Sequence, residues 1–355
     1  MIIVGLIIPV NQSLLSLIHE AKFLNTCYPP PPTNPKTPNQ TRKNVALITS
    51  RRFCQSQKSG VGFVSNKISD LRTWTCPGME GGDYVNPLYY NPNYTENFTP
   101  EFRSFIDKHY NHSFEPLEVL GYIYALLYSP NYRKRYAGFL KADYPKILFT
   151  KNKDLFRVLS LLGIELIGLH VLNKESLNYS FEKLKDATIG ESCYKDERNP
   201  IIKKPSHNDP EQRLYINHSA YFRGVSQEIY DYRIGGYSVL DKYLKSHKDE
   251  PCDFDHVTRI IKVIARTIEI QKTLGFLTSD LPHLKGNDSE ALTQEILHNP
   301  PPPPPFNTNV ALIVSHQAKA IGELDFDAAF ISKEASDNNI YRRGGGSAFP
   351  LFCIT

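Results

Sequence analysis

Three adjacent cations between tyrosines, Tyr132-Arg133-Lys134-Arg135-Tyr136, are the densest chemical signal in the sequence. Such a cluster suits contact with phosphate oxygens, and the flanking rings offer stacking surface. On a helix, successive residues fan out by about 100°, so all three cations cannot face one groove. The bland alternative is a solvated helix face with two core tyrosines, and on spacing alone it is the better one. A second basic group is Arg51-Arg52 with Lys67 and Arg72. A loop there could aim an arginine at guanine, although ordinary solvation explains it as well. A third group, Arg223, Arg233 and Lys242, surrounds Gly224 and Gly235-Gly236. Those glycines would let backbone approach phosphate closely, or simply make turns.

Catalytic patterns are missing. There is no GxxxxGK[ST] phosphate cradle and no GxSxG elbow, and Gly60-Val61-Gly62 lacks the third glycine of a dinucleotide fingerprint. His109 and His112 stand three apart without an HExxH context. Asn299-Pro300-Pro301 begins like the Asn-Pro-Pro-aromatic motif of amino-methyltransferases, but Pro302 occupies the position where a ring would stack on the flipped base. The six cysteines form no CxxC pair, so they are read as reduced thiols rather than zinc ligands or a disulfide framework.

Length and composition bound the setting. The 355 residues allow two ordinary domains, or one large domain with tails. A hydrophobic content of 41% with 22% charged residues supports a packed core. The net charge of +4 permits an anionic partner without demanding one. No apolar run reaches the ~20 residues of a membrane span. Met1 to Val10 is apolar but lacks a basic flank, so it is not read as a signal peptide. The expected compartment is the cytoplasm, with no membrane partner.

Two proline runs, Pro29–Pro32 and Pro300–Pro305, read as extended spacers. Each precedes a similar segment. Asn44-Val45-Ala46-Leu47-Ile48 matches Asn309-Val310-Ala311-Leu312-Ile313, Phe63-Val64-Ser65 matches Phe330-Ile331-Ser332, and Pro87-Leu88-Tyr89 matches Pro350-Leu351-Phe352. Three matches in one order argue for a duplication whose second copy is partial. An incomplete module would expose strand edges, so removing residues 299–355 is expected to improve solubility.

The NVALI and FVS/FIS segments read as short strands. Ser113 is the expected cap of a helix carrying Leu117, Leu120, Tyr124 and Leu127, stopped by Ser129-Pro130. One helix is expected from Asn131 to Ala142. Another is expected after Thr150, with Leu155, Leu159, Leu162, Leu166 and Leu169 on its core face. The stretch Ile201–Asn217 reads as a hairpin around Asn208-Asp209-Pro210. Gly235-Gly236 opens a helix with Val239, Leu240, Tyr243 and Leu244, and Asp253 caps a last one with Val257, Ile261, Ile264 and Ile268. Tyr237 and Tyr243 are placed in the core. Strands and helices without regular alternation predict an α+β fold, with short β-strands, a helical part and proline-rich linkers.

Several strings together bring a family into view. Leu120 to Tyr136 (LGYIYALLYSPNYRKRY), Asp143-Tyr144-Pro145-Lys146-Ile147, Phe222-Arg223-Gly224-Val225 and Tyr232 to Lys245 (YRIGGYSVLDKYLK) resemble, in order, blocks of the C-terminal specificity region of type ISP restriction-modification enzymes. Phe63 to Asp70 and Pro87-Leu88-Tyr89-Tyr90 resemble two upstream elements of the same region. The resemblance spans about Asn44 to Leu274. Residues 1–25 and the C-terminal partial repeat depart from it.

The resemblance implies a target-recognition domain that reads double-stranded DNA. The complete enzymes join such a reader to a nuclease, a helicase-like motor and an N6-adenine methyltransferase using S-adenosylmethionine, ATP and magnesium. This sequence shows the reader alone, so no cofactor and no catalytic residue are expected in it. The implied DNA contacts are Arg51, Arg52, Lys67, Arg72, Tyr132, Arg133, Lys134, Arg135, Arg223, Arg233 and Lys242, with Arg72–Asp83 the expected base-reading loop. The expected organisation is an N-terminal segment with proline linker (1–43), the reader (44–275), a second linker (276–308) and a partial second copy (309–355). Three alternatives stay open: a specificity subunit serving a separate methyltransferase or helicase chain, a proline-linked interaction module, and a gene remnant.

Overall fold

A computed structural model describes residues 44–49, 61–67, 84–90, 95–142, 145–194, 200–234, 237–279 and 326–329. The chain is α+β, with helices packed among small antiparallel sheets. The strands β1 (Ala46–Thr49), β2 (Phe63–Ser65) and β3 (Tyr84–Pro87) form a sheet in the order β2-β1-β3. β1 and β2 are buried throughout, as their apolar, β-branched sequences predict. A small hairpin, β4 (Tyr89–Tyr90) and β5 (Thr95–Glu96), leads into helix α1 (Pro100–Tyr110).

The centre is the pair α2 (Pro116–Tyr128) and α5 (Lys153–His170). α2 is buried on every side from Val119 to Tyr128, which marks it as the middle of a core rather than a surface helix. Each fully buried Leu or Ile there contributes roughly 1.5–3 kcal/mol relative to exposure. All five leucines of the α5 stripe are buried. Between the pair run α3 (Pro130–Arg135), α4 (Ala137–Ala142) and strand β6 (Ile147–Thr150), and α6 (Lys174–Glu182) follows α5.

A second sheet joins β7 (Ser192–Cys193), β8 (Ser206–Asn208), β9 (Arg213–Tyr215) and β10 (Tyr221–Phe222) in the order β7-β10-β9-β8. β8 and β9 are the expected hairpin. Then come α7 (Gln227–Tyr230), the ribbon β11 (Arg233–Ile234) and β12 (Tyr237–Ser238), α8 (Val239–Ser246) and the long α9 (Phe254–Leu277). Asp253 caps α9, accepting from His256 N at 2.9 Å. β13 (Phe326–Ala329) pairs antiparallel with β6.

Three expected boundaries move. α2 starts at Pro116, not after Ser113, because Phe114 drops into the core and keeps the chain extended through Glu115. The Glu118 carboxylate then accepts the Glu115 N–H at 2.8 Å, half of a capping box. Thr150 belongs to β6. Asn152 caps α5 instead, its Oδ1 accepting from Asp154 N and Leu155 N at 2.8 and 2.9 Å. The helix expected over 131–142 is two helices, broken at Tyr136 (φ −102°, ψ 17°). The second-copy segments at 309–313, 330–332 and 350–352 lie outside the described residues. Among the described residues no single helix is long and apolar enough to cross a membrane.

Candidate nucleic-acid interface

Ser129 and Pro130 end one helix and start the next. Ser129 is extended, as a residue before proline must be, and its Oγ accepts the Tyr132 N–H at 3.3 Å to cap α3. Asn131 donates to the Gly275 carbonyl at 2.6 Å, which ties α3 to the end of α9. The helix is thus fixed at its first turn and presents its last turn outward.

The five residues of the basic cluster then divide by direction, as helix geometry requires. Tyr132 is 1% exposed and donates its hydroxyl to the Lys146 carbonyl at 2.6 Å. Its ring belongs to the core and offers no face to a base. Tyr136 is half-buried against it, the ring centroids 5.2 Å apart. Arg133 is half-buried toward Tyr128 and Tyr232. Burial pulls its pKa down, opposed by the two phenols. Lys134 and Arg135 are exposed and have no ion pair among the described residues.

The sequence reading missed one member of this surface. Phe139 of α4 is 61% exposed, and the Lys146 ammonium stands 5.6 Å from its ring centroid. On one unbroken helix Phe139 would follow Tyr132 by seven residues and share its buried face. The break at Tyr136 turns α4 so that Leu140, 5% exposed, takes the inward position and the phenylalanine faces solvent. The result is an exposed aromatic ring beside the Lys146 cation, on the helix that follows the exposed Lys134 and Arg135 of α3.

A buried polar chain underlies this surface. Tyr124 Oη lies 2.7 Å from His170 Nδ1, and His170 Nε2 lies 3.1 Å from Thr267 Oγ1. Tyr128 and Tyr232 pack beside Tyr124. Burial pushes the His170 pKa down to about 3, so the ring is neutral. Tyr232 connects the chain to Arg133, and Arg233 follows it on β11, exposed. The structure therefore brings the α3 cluster and the strand of Arg233 to one neighbourhood through Tyr232.

The other candidates are dispersed. Lys67 is exposed in a turn where Ser65 Oγ bonds both its N–H and its carbonyl. Arg51, Arg52, Arg72 and the Arg72–Asp83 stretch lie outside the described residues, as do Gly235 and Gly236. Arg223, at the end of β10, is exposed and 3.3 Å from Glu191. Gly224 has φ +64°, and a Cβ there would come within 2.7 Å of Ile189 Cα, so this glycine makes a close-packed turn. Lys242 is half-buried on α8. Tyr243 is in the core, and the Tyr237 side chain lies outside the described residues. Among the described residues no group of three or more His, Cys, Asp or Glu side chains could hold a metal ion.

The family model of the Type ISP C-terminal specificity domain matches residues 17–273, and the chain belongs to that family. The match begins upstream of Asn44, where the sequence resemblance starts. Among solved structures the chain is similar to a nuclease-deletion mutant of the Type ISP restriction-modification enzyme LlaGI in complex with a DNA substrate mimic (21% identity, TM-score 0.45, 74% of this chain and 22% of that one). It is also similar to DrdV in a DNA complex (17%, 0.48, 73% and 26%). A third is the ATP-dependent Type ISP enzyme LlaBIII bound to DNA (21%, 0.46, 70% and 16%). The chain thus spans between 16% and 26% of these proteins' length. No curated protein matches it.

Proposed function

We propose that this chain is a sequence-specific reader of double-stranded DNA, the specificity element of an adenine-methylating restriction-modification system, with no catalytic centre of its own. The observation that carries the reading is membership of the specificity-domain family over residues 17–273. The exposed cations of α3 supply the charge such a reader needs, because phosphate neutralisation provides most of the sequence-independent affinity. Lys134, Arg135 and Arg233 would position the module on the backbone. Loop residues would specify bases. S-adenosylmethionine, ATP and magnesium would be handled by the catalytic remainder of a complete enzyme, whether joined to this chain or supplied by a separate one.

The test is binding of the purified chain to a randomised duplex pool at two salt concentrations, with sequencing of the bound fraction. An enriched short motif at both salts supports the proposal. Salt-sensitive binding without a motif would leave only backbone contact, and absence of binding would overturn it.

A further inference from the structure

β6 has two unlike edges. Along one, the carbonyls of Lys146, Leu148 and Thr150 each accept a tyrosine hydroxyl: Tyr132 at 2.6 Å, Tyr122 at 2.5 Å and Tyr110 at 2.6 Å. Tyr122 Oη also accepts the Thr150 N–H at 3.2 Å. The helices α1, α2 and α3 therefore do with phenols what a neighbouring strand would do with amides. Backbone groups alternate along a strand, so the N–H and C=O of Ile147 and Phe149 point to the other edge. All four residues of β6 are buried, and buried backbone groups need partners. Opposite them stand Ala329 and Asp327 of β13.

β13 precedes Phe330-Ile331-Ser332, the segment of the partial repeat that matches the sequence of β2. β6 has no other strand beside it among the described residues. We propose that the outer edge of β6 is a strand-docking site, and that the role of the partial second copy is to supply the Phe326–Ala329 strand that closes it within the same chain. The partial second copy then completes the first module instead of beginning another. The expectation that removing residues 299–355 improves solubility reverses: removal uncovers an edge able to pair with any extended segment.

The register supplies a direct test in the full chain. Leu148 and Ala328 are opposite one another at a position between the ladder's hydrogen-bonded pairs, where Cβ atoms approach most closely. Such a separation suits a disulfide. The double substitution L148C/A328C is expected to form an intramolecular disulfide between positions 148 and 328, identified by peptide mass spectrometry and absent from either single variant. Failure to form it, or its formation between two chains, would overturn docking in cis. Asp327→Pro gives a second readout, because proline removes the N–H that faces Phe149. Amide exchange at Phe149 and Ile147 is expected to accelerate about tenfold or more in that variant. Unchanged exchange would count against the pairing. Neither readout involves DNA, so both stand apart from the proposed function.

Discussion

Gly121 of α2 and Gly163 of α5 lie backbone to backbone where the two helices cross. A Cβ on Gly163 would stand 1.8 Å from the Gly121 carbonyl oxygen, and a Cβ on Gly121 would stand 2.5 Å from the Ser160 carbonyl oxygen. Backbone cannot move aside as a side-chain tip can, so neither position has room for even a methyl group. Gly163→Ala is expected to destabilise the fold by about 3 kcal/mol or more, although alanine is the better helix former by ~1 kcal/mol. Gly138 of α4 has nothing within 4 Å of its would-be Cβ. There the same substitution is expected to be neutral or stabilising by up to ~1 kcal/mol. Urea denaturation of the two variants should give opposite signs. Equal effects would mean that the helices do not cross at this contact.

Much of the core was legible because it depends on periodicity. The leucine stripe of α5, the apolar face of α9 and the buried strand beginning at Ala46 follow directly from their residues. What failed was local competition. Ser113 is a better capping residue than Glu115 in isolation, yet burial of Phe114 sets where the chain can turn. Phe139 was illegible for the same reason. A helix broken at Tyr136 changes phase, and no residue there announces the break in the way proline does at Pro130. Conversely, the family resemblance put Tyr132 among the DNA contacts, whereas spacing alone already favoured a core tyrosine. Its hydroxyl is taken by the Lys146 carbonyl, a partner fourteen residues on that only the folded chain supplies.

The cations of α3 are expected to separate into two kinds. The double variant Lys134→Ala/Arg135→Ala should keep its unfolding midpoint, since neither side chain makes an ion pair among the described residues. Its duplex affinity should fall, and its salt dependence should flatten by up to about two counterion equivalents. Arg133→Ala should instead lose about 1–3 kcal/mol of stability, because Arg133 is half-buried and interacts with the Tyr128 and Tyr232 phenols. Fluorescence anisotropy across a salt series, with denaturation alongside, measures both. A double variant with wild-type binding would remove α3 from the interface.

Phe139 should behave as a ligand contact and not as core. Its ring is exposed beside Lys146, so Phe139→Ala should change stability by no more than about 0.5 kcal/mol. An exposed ring beside a lysine suits stacking on a base or insertion at a base step, worth about 1–3 kcal/mol. Loss of duplex affinity by roughly fivefold or more is expected for Phe139→Ala, with recovery in Phe139→Trp. Affinity unchanged in Phe139→Ala, measured on the motif the duplex selection yields, would assign this ring to another surface role.

His170 links stability to acid. The ring is held neutral by burial between Tyr124 and Thr267, with a pKa near 3 in place of the ordinary 6.5. Below pH 6.5 the unfolded chain takes up a proton that the folded chain refuses, so stability falls as pH drops from about 6.5 toward about 3. The slope is about 1.4 kcal/mol per pH unit for this one group, or about 2 kcal/mol between pH 6.5 and pH 5. His170→Gln removes the titration and substitutes a constant cost from the disturbed hydrogen bonds to Tyr124 and Thr267. The stability gap between wild type and variant should therefore narrow by about 2 kcal/mol from pH 7 to pH 5. His112 and His256, whose pKa values burial also lowers, are present in both chains and cancel in that difference. Denaturant unfolding at pH 7, 6 and 5 measures the gap, and a gap independent of pH would show that His170 reaches solvent or gains a proton in the folded state.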